Sequence, residues 1–146
     1  MGSRKRLHRR ASHDVALDAM SRSVLLIEDN EQNRYLLTFL LESCGYQVSA
    51  AHDGPRGIEA ARALSPSIIL LDIQLPTMDG YAVARSLRQN EALRTIPIVA
   101  VTSYAMPGDR ETALEAGCTD YIEKPIDPDT FVQQLEAILE RHGGQP

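Results

Sequence analysis

The sequence has few of the features that mark secreted or membrane proteins. It contains two cysteines, no tryptophan and 5% aromatic residues, and no apolar run approaches the length of a transmembrane helix. The basic N-terminus lacks the apolar stretch of a secretory signal. Cys44 and Cys118 lie far apart, without a CxxC pair or metal-ligand spacing. We therefore expect two reduced thiols in a cytoplasmic protein.

Positive charge is scarce outside the start of the chain. Residues 1–22 hold six Lys and Arg against two Asp, a net charge of +4, whereas the whole chain carries −5, which leaves −9 on residues 23–146. So acidic a body argues against direct binding of nucleic acid. The 146 residues, 43% of them hydrophobic, suffice for one domain with its own core. We predict this domain over 23–142, preceded by a basic extension over 1–22 (disordered or derived from cloning) and followed by a tail over 143–146.

From residue 23 onwards, short apolar runs alternate with segments of helical periodicity. Strands are predicted over 23–28, 46–51, 67–72, 96–102 and 119–122, and helices over 31–43, 55–64, 79–90, 107–116 and 127–141. This alternation predicts an α/β fold in which helices cover both faces of a parallel sheet. Short, right-handed connections restrict the topology to doubly wound folds, among them the flavodoxin-like strand order 2-1-3-4-5.

A few residues indicate where helices start and stop and how they pack. Asn30 is a suitable N-cap for the first helix and Gly45 a suitable stop. Gly57 costs the second helix about 1 kcal/mol relative to alanine, so this helix should be the weaker one. In the first helix, these apolar residues recur at helical spacing: Tyr35, Leu36, Phe39 and Leu40. In the last helix, these apolar residues share one face: Phe131, Leu135, Ile138 and Leu139.

The stretch LLDIQLPTMDG, residues 70–80, ends a run of four apolar residues with Asp72. Such a run is typical of a strand buried on both faces, and a buried Asp is normally paired or bound to a metal. In doubly wound sheets, binding sites lie at the carboxyl ends of the strands. Four further polar residues stand at predicted strand ends: Glu28, Asp29, Thr102 and Lys124.

Each of these residues alone has an ordinary structural explanation. Asp29 could cap a helix, Thr102 could simply end a strand, and Lys124 could lie on the surface. Gathered at one edge of the sheet, however, the carboxylates would repel one another, and a Mg²⁺ ion would relieve that repulsion. The lysine and the hydroxyl supply the charge and the hydrogen bond that phosphoryl transfer requires. The Asp carboxylate can itself be the nucleophile.

Four motifs in this order and spacing resemble the receiver domain of two-component response regulators. They are LLIEDN, LLDIQLPTMDG, IVAVTSYAMPGDR and AGCTDYIEKPID. The resemblance extends from about residue 23 to residue 141 and is strongest to single-domain regulators and to the receivers of hybrid histidine kinases. It implies a bacterial, phosphorylation-dependent signalling switch that catalyses its own phosphorylation without being a classical enzyme.

The resemblance implies an acceptor and a metal site. Asp72 would accept the phosphoryl group from a phosphohistidine. Glu28 and Asp29 would hold Mg²⁺ together with Asp72, and the backbone carbonyl of Gln74 would complete the protein ligands. Gly80 would allow the helix after the loop to start tightly.

The resemblance also implies how the site would respond to phosphorylation. Thr102 would donate a hydrogen bond to a phosphoryl oxygen, and Lys124 would pair with the phosphoryl oxygens. The peptide bond between Lys124 and Pro125 is expected to be cis, which X–Pro bonds tolerate. Tyr121 would be the switch aromatic, turning inward as Thr102 moves toward the phosphoryl group.

Three neighbouring positions bear on the lifetime of the phosphorylated state. Ser103 is small, which leaves access to the acceptor. Gln74 and Tyr104 occupy positions that tune dephosphorylation in the family. Because Tyr104 is bulky, we expect it to shield the phosphoryl group from water and to prolong this state.

The implied partners are proteins. A sensor histidine kinase or a histidine phosphotransfer protein would supply the phosphoryl group, and a downstream protein would read the output. The output surface would consist of the fourth helix, the fifth strand and the fifth helix, which could also form a homodimer. No effector domain follows the last helix, so we expect protein–protein contact without direct nucleic-acid or membrane binding, unless the chain is a fragment.

Three other interpretations of the sequence remain open. A phosphatase with an aspartyl nucleophile would usually carry a second Asp where this chain has Gln74. A flavin- or dinucleotide-binding domain would need GxGxxG after the first strand, where this chain has the acidic stretch EDNEQN. A pseudo-receiver would act as a constitutive interaction module, although the constellation of site residues is intact here.

Overall fold

The computed structural model describes residues 22–103 and 106–142. The strands are β1 Ser23–Ile27, β2 Gln47–Ala51, β3 Ile68–Asp72, β4 Ile98–Thr102 and β5 Asp120–Glu123. The helices are α1 Glu31–Ser43, α2 Gly54–Leu64, α3 Gly80–Gln89, α4 Asp109–Ala116 and α5 Phe131–Arg141. All four strand pairings are parallel and the order is β2-β1-β3-β4-β5, which confirms the predicted fold class. The expectations for Tyr104, for residues 1–21 and for the tail lie outside the described residues.

Each face of the sheet has its own apolar core, because successive side chains of a strand point to opposite faces. Leu25, Ile27, Ile69 and Leu71 face helices α2, α3 and α4. The alternate positions face α1 and α5 in a second cluster, whose members include Val24, Leu26, Ile68, Leu70, Leu37 and Phe131. A sheet covered on both faces explains why β3 and β4 are buried along their whole length.

Helix α1 has the predicted ends but a different buried face. Asn30 caps it by accepting a hydrogen bond from the Asn33 N–H, and Gly45 follows it with a φ of +94°. The helix buries Leu37 and Leu41. Tyr35 and Phe39, two of the four apolar residues that suggested the helix, are 76% and 60% exposed. A two-residue offset turns a side chain about 200° around a helix, so this pair points away from the sheet.

Helix α2 carries its glycine for a packing reason. Gly57 is buried, and a β-carbon there would lie 2.5 Å from Ile27 Cδ1 and 2.8 Å from Ile27 Cγ1. The glycine therefore lets the helix approach β1 more closely than alanine would allow. No contact tests whether α2 is the weaker helix, so that expectation stays a prediction.

The remaining differences from the sequence patterns concern element ends. A short 3₁₀ turn, Glu91–Leu93, stands before β4, and no pattern in the sequence indicated it. Helix α5 starts at Phe131 rather than at Asp127, because the chain first makes a turn in which the Thr130 N–H donates to the Asp127 carbonyl oxygen. Phe131, Leu135 and Ile138 form its buried face as expected.

The parallel pairing brings the carboxyl ends of four strands to one edge of the sheet. Ile27 pairs with Leu71, Asp72 with Val101, and Thr102 with Glu123. Residues that directly follow these positions therefore become neighbours in space. Within residues 22–103 and 106–142, no helix has the length and apolar character needed to cross a bilayer.

Candidate functional site

The structure gathers three carboxylates at the carboxyl edge of the sheet. Glu28 and Asp29 follow β1, and Asp72 is the last residue of β3. One oxygen from each carboxylate lies within 4.8 Å of the other two. Glu28 and Asp72 are 1% and 2% exposed, whereas Asp29 is exposed. The site thus has a buried floor and one solvent-facing ligand.

Lys124 stands opposite the carboxylates, after β5. Its Nζ lies 3.2 Å from Asp72 Oδ1 and 3.7 Å from Glu28 Oε1. The Lys124 backbone N–H donates to the Thr102 carbonyl oxygen at 2.8 Å, which fixes the lysine relative to the end of β4. The Lys124–Pro125 peptide bond is cis, as expected.

Glu28 has the strongest electrostatic perturbation in the site. Burial raises the pKa of Glu28 to about 7, opposed by the Asn30 backbone N–H and by Lys124, and reinforced by the nearby Asp72 carboxylate. Of the buried side-chain polar atoms in the described part of the chain, Glu28 Oε1 is the one without a hydrogen bond, since the 3.7 Å to Lys124 is too long for one. A buried oxygen of this kind needs a further partner, such as a hydrogen-bond donor or a bound cation.

The donor set fits a divalent cation. Three carboxylate oxygens in one cluster are the hard ligands that Mg²⁺ prefers, and the exposed Asp29 leaves room for water on the ion. A cation there would satisfy Glu28 Oε1 and screen the repulsion between Glu28 and Asp72.

The loop after β3 is tied back to Asp72. The Gln74 N–H donates to Asp72 Oδ1 at 3.0 Å. A β-carbon on Gly80 would lie 2.5 Å from Ile73 Cα and 2.7 Å from the Asp72 carbonyl oxygen, so helix α3 can start this close to the strand only with glycine. Asp72 is therefore held through its own side chain and through the loop behind it.

Thr102 and Tyr121 lie at and beyond the edge of this cluster. Thr102 ends β4 and is 3% exposed. Tyr121 is half-buried and packs against the core cluster on the side of helices α2 to α4, so it does not join the carboxylates in this arrangement.

The sequence patterns did not identify two contacts of the site. Arg34, in the first helical turns of α1, donates from one guanidinium nitrogen to the carbonyl oxygens of Glu28 and Asp29, both at 2.9 Å. The Gln74 side-chain oxygen accepts hydrogen bonds from the Ser103 N–H at 3.2 Å and the Ser103 hydroxyl at 2.7 Å. A basic residue soon after the acidic pair is a weak signal for the first contact, but the second depends on a spatial approach that spacing alone does not indicate.

Comparison with known proteins gives one consistent result. The sequence profile of the response regulator receiver domain matches residues 24–136. The polar-differentiation response regulator DivK of Brucella ovis is 41% identical over 120 residues, which are 82% of this chain and 98% of that protein. DivK of Brucella anthropi is 40% identical over the same lengths.

Solved structures agree with the sequence comparison. The chemotaxis protein CheY4 of Vibrio cholerae superposes with a TM-score of 0.76 at 26% identity, over 80% of this chain and 98% of that one. The receiver domain of a sensor histidine kinase from Pseudomonas aeruginosa superposes with a TM-score of 0.73 at 35% identity, over 84% of this chain and 98% of that one. The Pseudomonas structure has a magnesium ion coordinated in its active site cleft.

Proposed function

The chain belongs to the response regulator receiver family, and from this premise we propose that Asp72 is the acceptor of its phosphoryl group. The family membership makes the chain a component of phosphorylation-dependent signalling and not a classical enzyme. The observation that carries the assignment of Asp72 is its environment. It is 2% exposed at a strand end, with Lys124 at 3.2 Å and two more carboxylates in the same cluster.

We assign the metal site to Glu28, Asp29, Asp72 and the backbone carbonyl of Gln74, with Mg²⁺ as the ion. When bound, a divalent cation supplies positive charge against the phosphoryl oxygens and the buried carboxylates. The unsatisfied Glu28 Oε1 supports this assignment.

The reaction is a phosphoryl transfer from nitrogen to oxygen. An oxygen of the Asp72 carboxylate forms a bond to phosphorus while the bond from phosphorus to the donor imidazole breaks, and the electron pair of that bond stays on the imidazole. Lys124 balances the charge on the equatorial oxygens, and Thr102 donates a hydrogen bond to one of them. Both residues act by position and charge, which is how phosphoryl transfer is mainly catalysed.

The donor is a sensor histidine kinase or a histidine phosphotransfer protein, since those carry phosphohistidine. We further propose that the switch residues Thr102 and Tyr121 transmit the change, with Tyr121 turning inward. The cytoplasmic location stays a prediction, as does the division of the chain into an extension over 1–22, a domain over 23–142 and a tail over 143–146.

The proposed output surface is formed by α4, β5 and α5, and it can receive a downstream protein or a second copy of the chain. A groove on this surface is lined by residues from all three elements, among them Arg110, Glu123, Gln134 and Arg141. Charged side chains of both signs around a concave surface suit recognition of a protein partner.

A test of the site chemistry uses phosphoramidate, a small donor with the phosphorus–nitrogen bond that the proposal requires. Wild type should take up phosphate only with Mg²⁺. Lys124→Ala should slow uptake by about 100-fold, because it removes the charge that balances the transferring group. Arg85→Ala, an exposed change on α3, is the matched control and should react like wild type. Equal rates for Lys124→Ala and wild type would show that Lys124 has no role in phosphoryl transfer.

A further inference from the structure

A bridge of two hydrogen bonds joins the segments that follow β3 and β4, beside the proposed phosphorylation site. Gln74 lies two residues after Asp72, in the loop between β3 and α3, and Ser103 directly follows the last residue of β4. The Ser103 N–H and hydroxyl both donate to the Gln74 side-chain oxygen, at 3.2 and 2.7 Å. One amide oxygen thereby ties together the two loops that follow neighbouring strands.

The same residue is also tied to the acceptor. The Gln74 N–H donates to Asp72 Oδ1 at 3.0 Å, and Asp72 pairs in register with Val101, two residues before Ser103. Gln74 therefore contacts both the acceptor, through its backbone N–H, and the residue after β4, through its side chain. Since Gln74 is half-buried and Ser103 exposed, the bridge can open without disturbing the core.

Phosphorylation of Asp72 would add hydrogen-bond acceptors that compete with the Gln74 side-chain oxygen for Ser103. A phosphoryl group brings charged oxygens, which are stronger acceptors than a neutral amide oxygen. Under the proposed function Thr102 moves toward that group, and Ser103 is bonded to Thr102. Because two hydrogen bonds fix Ser103 relative to Gln74, a movement of Ser103 together with Thr102 would change their geometry.

We propose that Gln74 is a positioning residue, whose side chain acts as a latch that holds Ser103, the residue after β4, in its phosphate-free position and releases it when Asp72 carries a phosphoryl group. This inference rests on the proposed function, because it needs Asp72 to be the acceptor. A contact made in only one of two states biases the equilibrium toward that state. Removing the latch should therefore favour the phosphorylated arrangement.

The test measures binding of beryllofluoride, a phosphoryl mimic, with Mg²⁺ in excess. Gln74→Met keeps the length of the side chain and the backbone carbonyl but removes the acceptor, and it should tighten binding by about fivefold, the change expected from one net hydrogen bond. Ser103→Ala removes one of the two donors and should tighten binding by about twofold. The double variant should bind no more tightly than Gln74→Met, because both changes remove the same contact. Gln133→Met, an exposed change on α5, is the control and should bind like wild type.

Two further readouts separate the latch from a merely structural or metal-binding role. The amide resonance of Ser103 in the phosphate-free protein should shift in Gln74→Met, toward its position in the beryllofluoride complex of wild type. The dissociation constant for Mg²⁺ alone is measured in parallel, because the backbone carbonyl of Gln74, which the variant keeps, is one of the proposed metal ligands. A Mg²⁺ affinity that rises as much as the beryllofluoride affinity would overturn the latch, because the variant would then act through the metal.

Beryllofluoride binding by wild type and by Gln74→Met tests the acceptor and the latch separately. If wild type binds beryllofluoride and Gln74→Met binds it equally or more weakly, the latch is wrong and Asp72 remains the acceptor. If wild type binds none, the latch and the proposed acceptor fail together.

Discussion

At the residue scale, Asp120 is a buried carboxylate outside the candidate site, on the far side of β5 from the α2–α4 core. It is 2% exposed and accepts hydrogen bonds from the Tyr121 N–H, the Arg141 guanidinium and the His142 ring at 2.8, 2.9 and 3.1 Å. Arg110 of α4 lies 3.7 Å away. Burial alone would raise the pKa of Asp120, but these donors and the nearby cation outweigh burial and hold the pKa below its usual value.

The sign of this shift predicts how stability depends on pH. Because the folded state lowers the pKa of Asp120, the ionised carboxylate stabilises the fold above its unfolded pKa, and this contribution is lost as the pH falls through the folded pKa. We expect Asp120→Asn to lower the free energy of unfolding by about 2 kcal/mol at pH 7. The difference from wild type should shrink below about pH 4.

Urea unfolding of wild type and Asp120→Asn at several pH values measures this difference in stability. Glu59→Gln, an exposed change on α2, is the control. A difference between Asp120→Asn and wild type that stays constant down to the acid range would show that the charge of Asp120 does not stabilise the fold.

Arg88 of α3 is a second residue whose geometry predicts a stability effect. Its guanidinium donates to the backbone carbonyl oxygens of Gly117 and Ile96 at 2.8 and 2.7 Å, and to that of Leu93 at 2.9 Å. It thus joins the end of α3 to the 3₁₀ turn and to the end of α4. The planar fork of five donors makes this possible, and lysine cannot reproduce it.

We expect Arg88→Lys to destabilise the fold by about 2 kcal/mol, because carbonyl oxygens that Arg88 now satisfies would lose a partner. Thermal or urea unfolding measures the loss, with Arg85→Lys, an exposed change on the same helix, as the control. Equal stability of the two variants would mean that water replaces the guanidinium without cost.

At the element scale, the close contact between α2 and β1 predicts that a residue with higher helix propensity at position 57 lowers the stability of the protein. Gly57→Ala gains about 1 kcal/mol in helix propensity. Its β-carbon would meet Ile27, which is fully buried, and overpacking of this kind typically costs 1–3 kcal/mol. We expect a net loss of about 1 kcal/mol in the free energy of unfolding.

The double variant Gly57→Ala with Ile27→Ala is the matched test, because it removes the side chain that the new methyl group would strike. Its loss should be smaller than the sum of the losses of the two single variants. Additive losses would contradict steric contact between the two positions.

The helix and strand patterns could be predicted from the sequence because each is a local signal. Alternation of apolar runs and periodic segments was enough for a parallel, doubly wound sheet, whose strand order the family resemblance supplied, and Asn30 and Gly45 were enough for the ends of α1. The buried face of α1 could not be predicted in this way. Tyr35 and Phe39 are large and mainly apolar like Leu37 and Leu41, and the orientation of the helix against the sheet separates the two pairs. In the 3₁₀ turn Glu91–Leu93, the Leu93 carbonyl oxygen accepts a hydrogen bond from Arg88, a side-chain contact that no apolar pattern indicates.

The candidate site was predictable to the extent that it consists of strand ends. Glu28, Asp29, Asp72 and Lys124 come together because parallel strands end at one edge. The bridge from Gln74 to Ser103 joins two loops whose approach is set by tertiary packing. No spacing rule indicates such a contact, which is why sequence reasoning missed it.

At the scale of the whole molecule, the packed domain and the basic N-terminal segment are expected to be separate parts of the chain. The two core clusters consist of residues from Val24 to Ile138, and the family profile starts at residue 24. We therefore expect a chain that starts at Met20 to unfold within about 0.5 kcal/mol of the full chain and to take up phosphate at the same rate. A larger loss of stability would show that the basic segment packs against the domain, contrary to the proposed domain division.

The central claim is that Asp72 carries the signal, and intact mass spectrometry tests it most directly. Wild type and Asp72→Asn are incubated with acetyl phosphate, each with and without Mg²⁺. We expect one added phosphoryl group on wild type with Mg²⁺, and none without Mg²⁺ or on the variant. The same adduct on Asp72→Asn would place the acceptor elsewhere, and a wild type that neither gains the group nor consumes the donor would make the chain a receiver that does not accept phosphate.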